Sequence, residues 1–278
     1  MIKKIIHTAD IHIRNFKRHE EYRNQLSKFL NEVRDICSDF EFNEVRVLIV
    51  GDIFHQKIQT SNEQTDLLSW FLIELDKIVP TILVAGNHDF MESNKDRMDS
   101  ITPIINLLNL KNVKFLDKEL NYHSGIYIDD NIAWSLYSIF DDYNKPNVKL
   151  EKINYSDKKF IGLFHGALNG SKTDSGFEFE HGISLDYFSG CDTVMCGDIH
   201  KRHEIQFNSN EDNIKAVYPG SLIQQDFGEN VSGHGFLLWD VEELEYEEFD
   251  IENDYSLFKF KITSIEDIEN QTEEFVNF

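Results

Sequence analysis

The chain has 278 residues, 41% of them hydrophobic and 13% aromatic, enough to bury the core of a large domain and to exclude wholesale disorder. Against 27 basic side chains stand 50 acidic ones, a formal charge of −23. That balance speaks against an ordinary basic nucleic-acid binder and for solubility and attraction of cations. No apolar run approaches the roughly 20 residues needed to span a bilayer. The start "MIKKIIHTAD" lacks a signal peptide's apolar stretch and cleavage site, and reads as native strand. Cys37, Cys191 and Cys196 form no CxxC pair and cannot all be paired, so the expected setting is reducing and cytoplasmic, away from membranes.

In chain order, "KKIIHTA" predicts a first strand. Helical spacing of Tyr22, Leu26, Phe29, Leu30, Val33, Ile36 and Cys37 then predicts a helix over "EEYRNQLSKFLNEVRDIC". "EVRVLIV" is a second strand, and "NEQTDLLSWFLIELDKI" a helix capped by Thr60 or Ser61. "PTILVAG" is a third strand, followed by a helix over "MDSITPIINLLN" despite Pro103. This βαβαβ opening implies parallel strands packed against helices. The middle is strand-rich, in "GIYIDDNIAWSLYS", "KKFIGLFHG" and "CDTVMCGD", with one helix-sized gap around "GISLDYFSG". "GFLLWDVEELEYEEFDI" reads as a hairpin turning near Glu242 and Glu243. The expected fold is a four-layer α/β/β/α sandwich over residues 1–251, with 252–278 starting a small, incomplete capping unit.

The strands share a way of ending. "IIHTADIH" ends in Asp10 and His12, "VLIVGDIFH" in Asp52 and His55, and "ILVAGNHD" in Asn87, His88 and Asp89. "IGLFHG" ends in His165, and "TVMCGDIH" in Asp198 and His200. Side chains just past the carboxyl ends of strands converge in one crevice of an α/β sheet. A single such Asp or His is ordinarily a turn former or helix cap. Five in series are another matter, because burying so many ionisable groups together is costly without charge compensation. A pair of divalent cations compensates them, with carboxylate, amide oxygen and neutral imidazole as ligands.

The ordered set D-x-H, G-D-x-x-H, G-N-H-D, an isolated His after a strand, and G-x-x-H resembles the calcineurin-like metallophosphoesterase superfamily. Within it the chain is most similar to the SbcD and Mre-eleven nucleases of double-strand-break repair. Three features carry that finer resemblance: His55 in "GDIFH", the segment "YPGSLIQQDFGE" from Tyr218 to Glu229, and "GFLLWDVE" after it. The resemblance covers roughly residues 1 to 250.

It implies a DNA exonuclease and endonuclease acting in recombination and repair. One cation would be held by Asp10, His12, Asp52 and His200, and a second by Asp52, Asn87, His165 and Asp198, with Asp52 bridging. His88 would face the scissile phosphate as the catalytic group, and His55 would orient His88 or the substrate. The family's fifth motif is normally G-H-x-H, so Asp198 stands where a His is usual. Three carboxylates make the site harder and more anionic, favouring Mn²⁺ or Mg²⁺ over Zn²⁺; alternatively the second site is weakened. Arg14, Lys17, Arg18 and Arg23, and later Lys201, Arg202 and His203, are candidates for contacting DNA backbone phosphates. The resemblance also implies a homodimer and an SMC-like ABC ATPase partner of the SbcC or Rad-fifty type. Rival readings are a phosphatase or cyclic-nucleotide phosphodiesterase on the same fold, and a scaffold that lost its metals.

Overall fold

The computed structural model describes residues 1–57, 59–208, 213–258 and 264–266. Its first half alternates strand and helix: β1 (Lys4–Thr8), α1 (His19–Cys37), β2 (Val45–Val50), α2 (Asn62–Ile78), β3 (Thr81–Val84), α3 (Thr102–Leu108), β4 (Val113–Phe115) and the single turn α4 (Leu116–Glu119). The second half is β5 (Gly125–Asp129), β6 (Ile132–Tyr137), α5 (Val148–Asn154), β7 (Lys159–His165), β8 (Thr193–Gly197), β9 (His203–Asn208), β10 (Asn213–Tyr218), β11 (Gly235–Asp240) and β12 (Tyr246–Asp250).

These strands make two six-stranded sheets, in the orders β12-β11-β1-β2-β3-β4 and β5-β6-β7-β8-β10-β9. β1 to β4 run parallel, and the β11–β12 hairpin returns antiparallel onto β1. β6, β7 and β8 are parallel to one another, and β10 is parallel to β8. All the strands that end in the predicted polar groups therefore point their carboxyl ends the same way within their sheets.

Apolar side chains fill three layers, giving the expected α/β/β/α sandwich. Phe29 and Leu30 of α1 and Phe71 and Leu72 of α2 pack on Val47 and Ile49 of the first sheet. Ile5, Leu48, Val50, Trp134, Ile161 and Met195 lie between the sheets. Phe160, Phe164, Phe188 and Cys196 cover the outer face of the second sheet. Every residue of β2 is buried because both its faces are covered, hence its uninterrupted apolar sequence.

Local chemistry explains the helix ends. Ser61 accepts from the Gln64 backbone N–H while Gln64 Oε1 accepts from Ser61 N–H, a reciprocal cap for α2. Pro103 sits in the first turn of α3, where its missing N–H costs nothing, and Asp99 caps that turn through Ile101 and Thr102 N–H. Two expectations differ. The gap around "GISLDYFSG" holds only a 3-10 turn, Leu185–Phe188, too short to show helical periodicity. The β9–β10 hairpin and α5 were not anticipated.

The last segment stays on the domain as far as it is described. Gln25 Nε2 donates to Glu252 O at 3.2 Å, and Leu257 N donates to Gln224 Oε1 at 2.8 Å. The rest of the expected capping unit falls mainly on residues 259–263 and 267–278, outside the described residues.

Candidate metal centre

The five polar strand endings meet in one crevice at the carboxyl ends of β1, β2, β3, β7 and β8. Reaching it strains the backbone. Asp10, His12, Asp52 and Asp198 all have left-handed φ values, 53°, 51°, 51° and 89°. Non-glycine residues seldom adopt this conformation, and it concentrates at functional sites. The glycines beside them answer a packing demand. A Cβ at Gly51 would collide with the His165 imidazole, one at Gly86 with the Asp52 carboxylate, and one at Gly197 with Val50 O.

His12 Nε2 lies 3.0 Å from His200 Nε2, 3.3 Å from Asp52 Oδ2 and 4.0 Å from Asp10 Oδ1. Donor atoms of Asp10, His12 and His200 all fall within 4.8 Å of one another. On the other side, His165 Nε2 lies 3.3 Å from Asp52 Oδ1 and 3.8 Å from Asp198 Oδ1. Asp10, Asp52 and His165 form a second group with the same 4.8 Å spread. Asp52 thus faces both groups, one carboxylate oxygen to each.

The donors fit a pair of divalent cations. His165 Nδ1 donates to Val50 O at 2.8 Å, so the neutral ring carries its lone pair on Nε2 and a cation there would take the place of the proton. That Nε2 and Asn87 Oδ1 are both buried without a hydrogen-bond partner. Orphaned buried polar atoms are costly unless something coordinates them. His200 Nδ1 donates to Glu229 Oε1 at 2.6 Å, turning its Nε2 toward His12. A carboxylate behind a ligating imidazole fixes its tautomer and raises its basicity.

Electrostatics agree. Burial pushes the Asp10 carboxyl up to about 7, with His200 and His165 pulling back. Burial also raises Asp198. At Asp52 burial acts upward, yet His165, His12 and His88 outweigh it and hold the carboxyl well below its usual range. Burial acts to lower His165, but Asp52, Asp10 and Asp198 drive it well above the ordinary value. For His200 burial again acts downward, and Glu229 and Asp10 lift it to about 9. Buried Asp10 and Asp52, with half-buried Asp198, therefore make the crevice a strong sink for positive charge.

His88 is held beside this cluster. Its backbone N–H donates to Asp52 Oδ1 at 2.8 Å and its Nδ1 donates to His55 O at 2.6 Å, which frees Nε2 for an incoming group. The His55 ring stacks on that of His88, centroids 5.6 Å apart at 25°. Arg14 Nη1 donates to His55 Nε2 at 2.9 Å, and burial with the Arg14 charge lowers His55 to about 4, so the ring is neutral. His55 orients His88 by its carbonyl and by stacking.

The candidate phosphate contacts are placed less favourably. Arg18 forks onto Glu21 at 2.6 and 2.7 Å and reaches Gln224 O at 2.6 Å. Arg23 pairs with Asp66 and lies over Trp70. Arg202 is held by Glu248 and Asp250, and the His203 ring stacks on Tyr218. Arg14, besides His55, donates to Gln225 O at 3.0 Å. Lys17 is exposed and Lys201 half-buried.

Two carboxylates not assigned a role from sequence support the site. Asp89, fully buried, accepts from Ile53, Phe54 and Gly86 N–H and ties the β2 loop to the β3 loop. Its place in "GNHD" was visible, though not its partners. Glu229 was visible only as the end of "YPGSLIQQDFGE".

The family model for calcineurin-like phosphoesterases matches residues 3–215. The chain belongs to this family. An uncharacterized protein of Acanthamoeba polyphaga mimivirus is 36% identical over 276 residues, 97% of this chain. The chain spans only 20% of that protein's length. A protein of Invertebrate iridescent virus 6 named "Putative phosphoesterase 244L" is 26% identical over 244 residues, covering 84% of this chain and 75% of the viral one. The His and Asp clusters of the crevice could hold the metal ions that a metallophosphoesterase of this family uses. No helix among the described residues is long and apolar enough to cross a membrane.

Proposed function

We propose that this phosphoesterase is a two-metal DNA nuclease, the nuclease subunit of an SbcCD-like recombination and repair complex working in the cytoplasm. The observation that carries the reading is the Tyr218–Glu229 segment. The stretch that resembles the SbcD and Mre-eleven nucleases is joined to the cluster, Glu229 holding His200 at 2.6 Å and the Gln225 carbonyl accepting from Arg14, the partner of His55. Asp10, His12, Asp52 and His200 would hold one cation, and Asp52, Asn87, His165 and Asp198 the other. Such a pair supplies charge to clamp a phosphodiester and acidifies the attacking water. Carboxylate-rich ligation favours Mn²⁺, with Mg²⁺ next.

The chain's own groups do the rest. His55 and Asp52 fix the His88 ring through its Nδ1–H and backbone N–H, leaving Nε2 to donate a proton to the departing oxygen. Asp89 keeps Asp52 and His88 in register by tying together the loops that bear them. A homodimer and an SMC-like ATPase complete the proposed assembly, and the ATPase would supply phosphate grip that this acidic chain lacks.

One observation favours a rival. Arg18, Arg23 and Arg202 already face acids, which suits a small or cyclic phosphodiester better than a long polyanion. The deciding test is Mn²⁺-dependent hydrolysis of labelled single- and double-stranded DNA beside a cyclic nucleotide and a phosphopeptide. Selective turnover of DNA is expected. Turnover of the small substrates without DNA cleavage would assign the site to the rival.

A further inference from the structure

Three phenylalanines stand exposed on loops joined to the metal centre: Phe16 at 81%, Phe227 at 59% and Phe177 at 59%. Isolated apolar residues at a surface are ordinary. These three are not isolated from one another, because hydrogen bonds stitch their loops together. Phe16 lies midway between Arg14 and Arg18, which donate to Gln225 O at 3.0 Å and Gln224 O at 2.6 Å. Phe227 follows two residues after Gln225 and precedes Glu229, the partner of His200. Asn230 donates to both oxygens of Asp174, and Thr173 N donates to Phe177 O, so the turn carrying Phe177 hangs on the same segment. The Phe177 ring is braced edge-on by Phe179 at 5.0 Å.

Resting on the nuclease reading, we infer that Phe16 and Phe227, flanked by Phe177, form a stacking rim that grips unpaired nucleobases of the strand entering the metal centre. Two lines of reasoning choose this occupant. First, the rim continues directly into the crevice: Arg14, beside Phe16, contacts His55, and Glu229, beside Phe227, contacts a metal-ligating histidine. Whatever lies on the rings is joined to, or adjacent to, the phosphodiester being cleaved. Second, phosphate-directed charge is limited here to exposed Lys17 beside Phe16, since Arg18 is spent on Glu21 and Arg202 on Glu248 and Asp250. Every base has a π-face, so aromatic rings grip a strand without cations and without reading sequence. An acidic nuclease built this way holds its substrate by the bases, and its preferred substrate has unpaired ones, such as a single strand or frayed end. Its single-strand binding should also depend on salt less steeply than that of a protein neutralising many phosphates.

The test compares the intact chain with Phe16→Ala, Phe227→Ala and the double variant on two Mn²⁺-dependent substrates. One is a single-stranded oligonucleotide and the other an abasic strand with the same backbone. Wild type is expected to cleave the base-bearing strand with the lower KM, and each substitution to raise that KM at least about fivefold. Cleavage of the abasic strand should be unchanged, which also reports an intact fold and centre. A 2-aminopurine near the strand end should be quenched by wild type and not by the double variant. Base-bearing DNA cleaved equally by all four proteins would overturn the rim while leaving the nuclease reading standing. Failure of wild type to cleave any DNA while it hydrolyses a small diester would overturn both.

Discussion

Replacing Glu229 by Gln removes one negative charge and keeps the side chain's length. In the native site Oε1 accepts from His200 Nδ1 at 2.6 Å, while Oε2 accepts from Gln225 N at 2.8 Å and Ser221 Oγ at 3.2 Å. A glutamine has one acceptor oxygen. If it keeps His200, its amide meets the Gln225 N–H donor to donor and leaves that group unsatisfied, at about 1–3 kcal/mol of stability. The change also lowers the basicity of a ligand, and losing such a supporting partner typically costs 10–100-fold in metal affinity, about 1.4–2.7 kcal/mol. Calorimetric titration with Mn²⁺ near neutral pH should show one site weakened by that factor. The other, held by Asn87, His165 and Asp198, should change by less than about threefold. Unchanged affinity at both sites would refute the role given to Glu229.

His88→Asn should bind metal as wild type does and lose about 10²–10⁴-fold in cleavage rate, measured with a labelled substrate at saturating Mn²⁺; loss of metal would place His88 among the ligands instead. Asp52→Ala should bind neither ion tightly, since that carboxylate turns one oxygen to His12 and the other to His165, and calorimetry showing one intact site would contradict the bridge. Asp198→His should shift selectivity from Mn²⁺ toward Zn²⁺ in a competition titration. A large rise in Mn²⁺ activity in that variant would mean that the native second site is the weakened one. His7, buried between the sheets with Nε2 on Cys196 O at 3.1 Å, has its pKa lowered by burial from 6.5 to about 3. The unfolded chain binds this proton more readily, so stability is lost as pH falls from about 6.5 toward 3, by up to about 1.4 kcal/mol per pH unit. His7→Gln should remove that contribution from the slope in chemical denaturation, and an unchanged slope would show His7 to be charged in the fold.

The candidate donors were legible because each lies just past an apolar run, most beside a glycine, at the end of a strand. Asp10 and Asp52 follow paired parallel strands of one sheet, and His165 and Asp198 lie at the ends of paired parallel strands of the other, so packing the two sheets together brings the four to one crevice. The supports were less legible because they act across long separations without periodicity: Glu229 reaches His200 over 29 residues, and Asp89 reaches Phe54 over 35. The paired state of Arg18 and Arg202 was equally hidden, since sequence shows a cation but not the acid folded against it. The β9–β10 hairpin escaped because "HEIQFN" and "NIKAVY" mix polar and apolar residues without the continuous run that marked the central strands.

An anomalous difference map from crystals soaked in Mn²⁺ examines the binuclear centre without assuming any substrate. Two peaks are expected, about 3.5–4 Å apart, with the Asp52 carboxylate between them, His12 and His200 on one and Asn87 and His165 on the other. A single peak, or none at saturating metal, would contradict it.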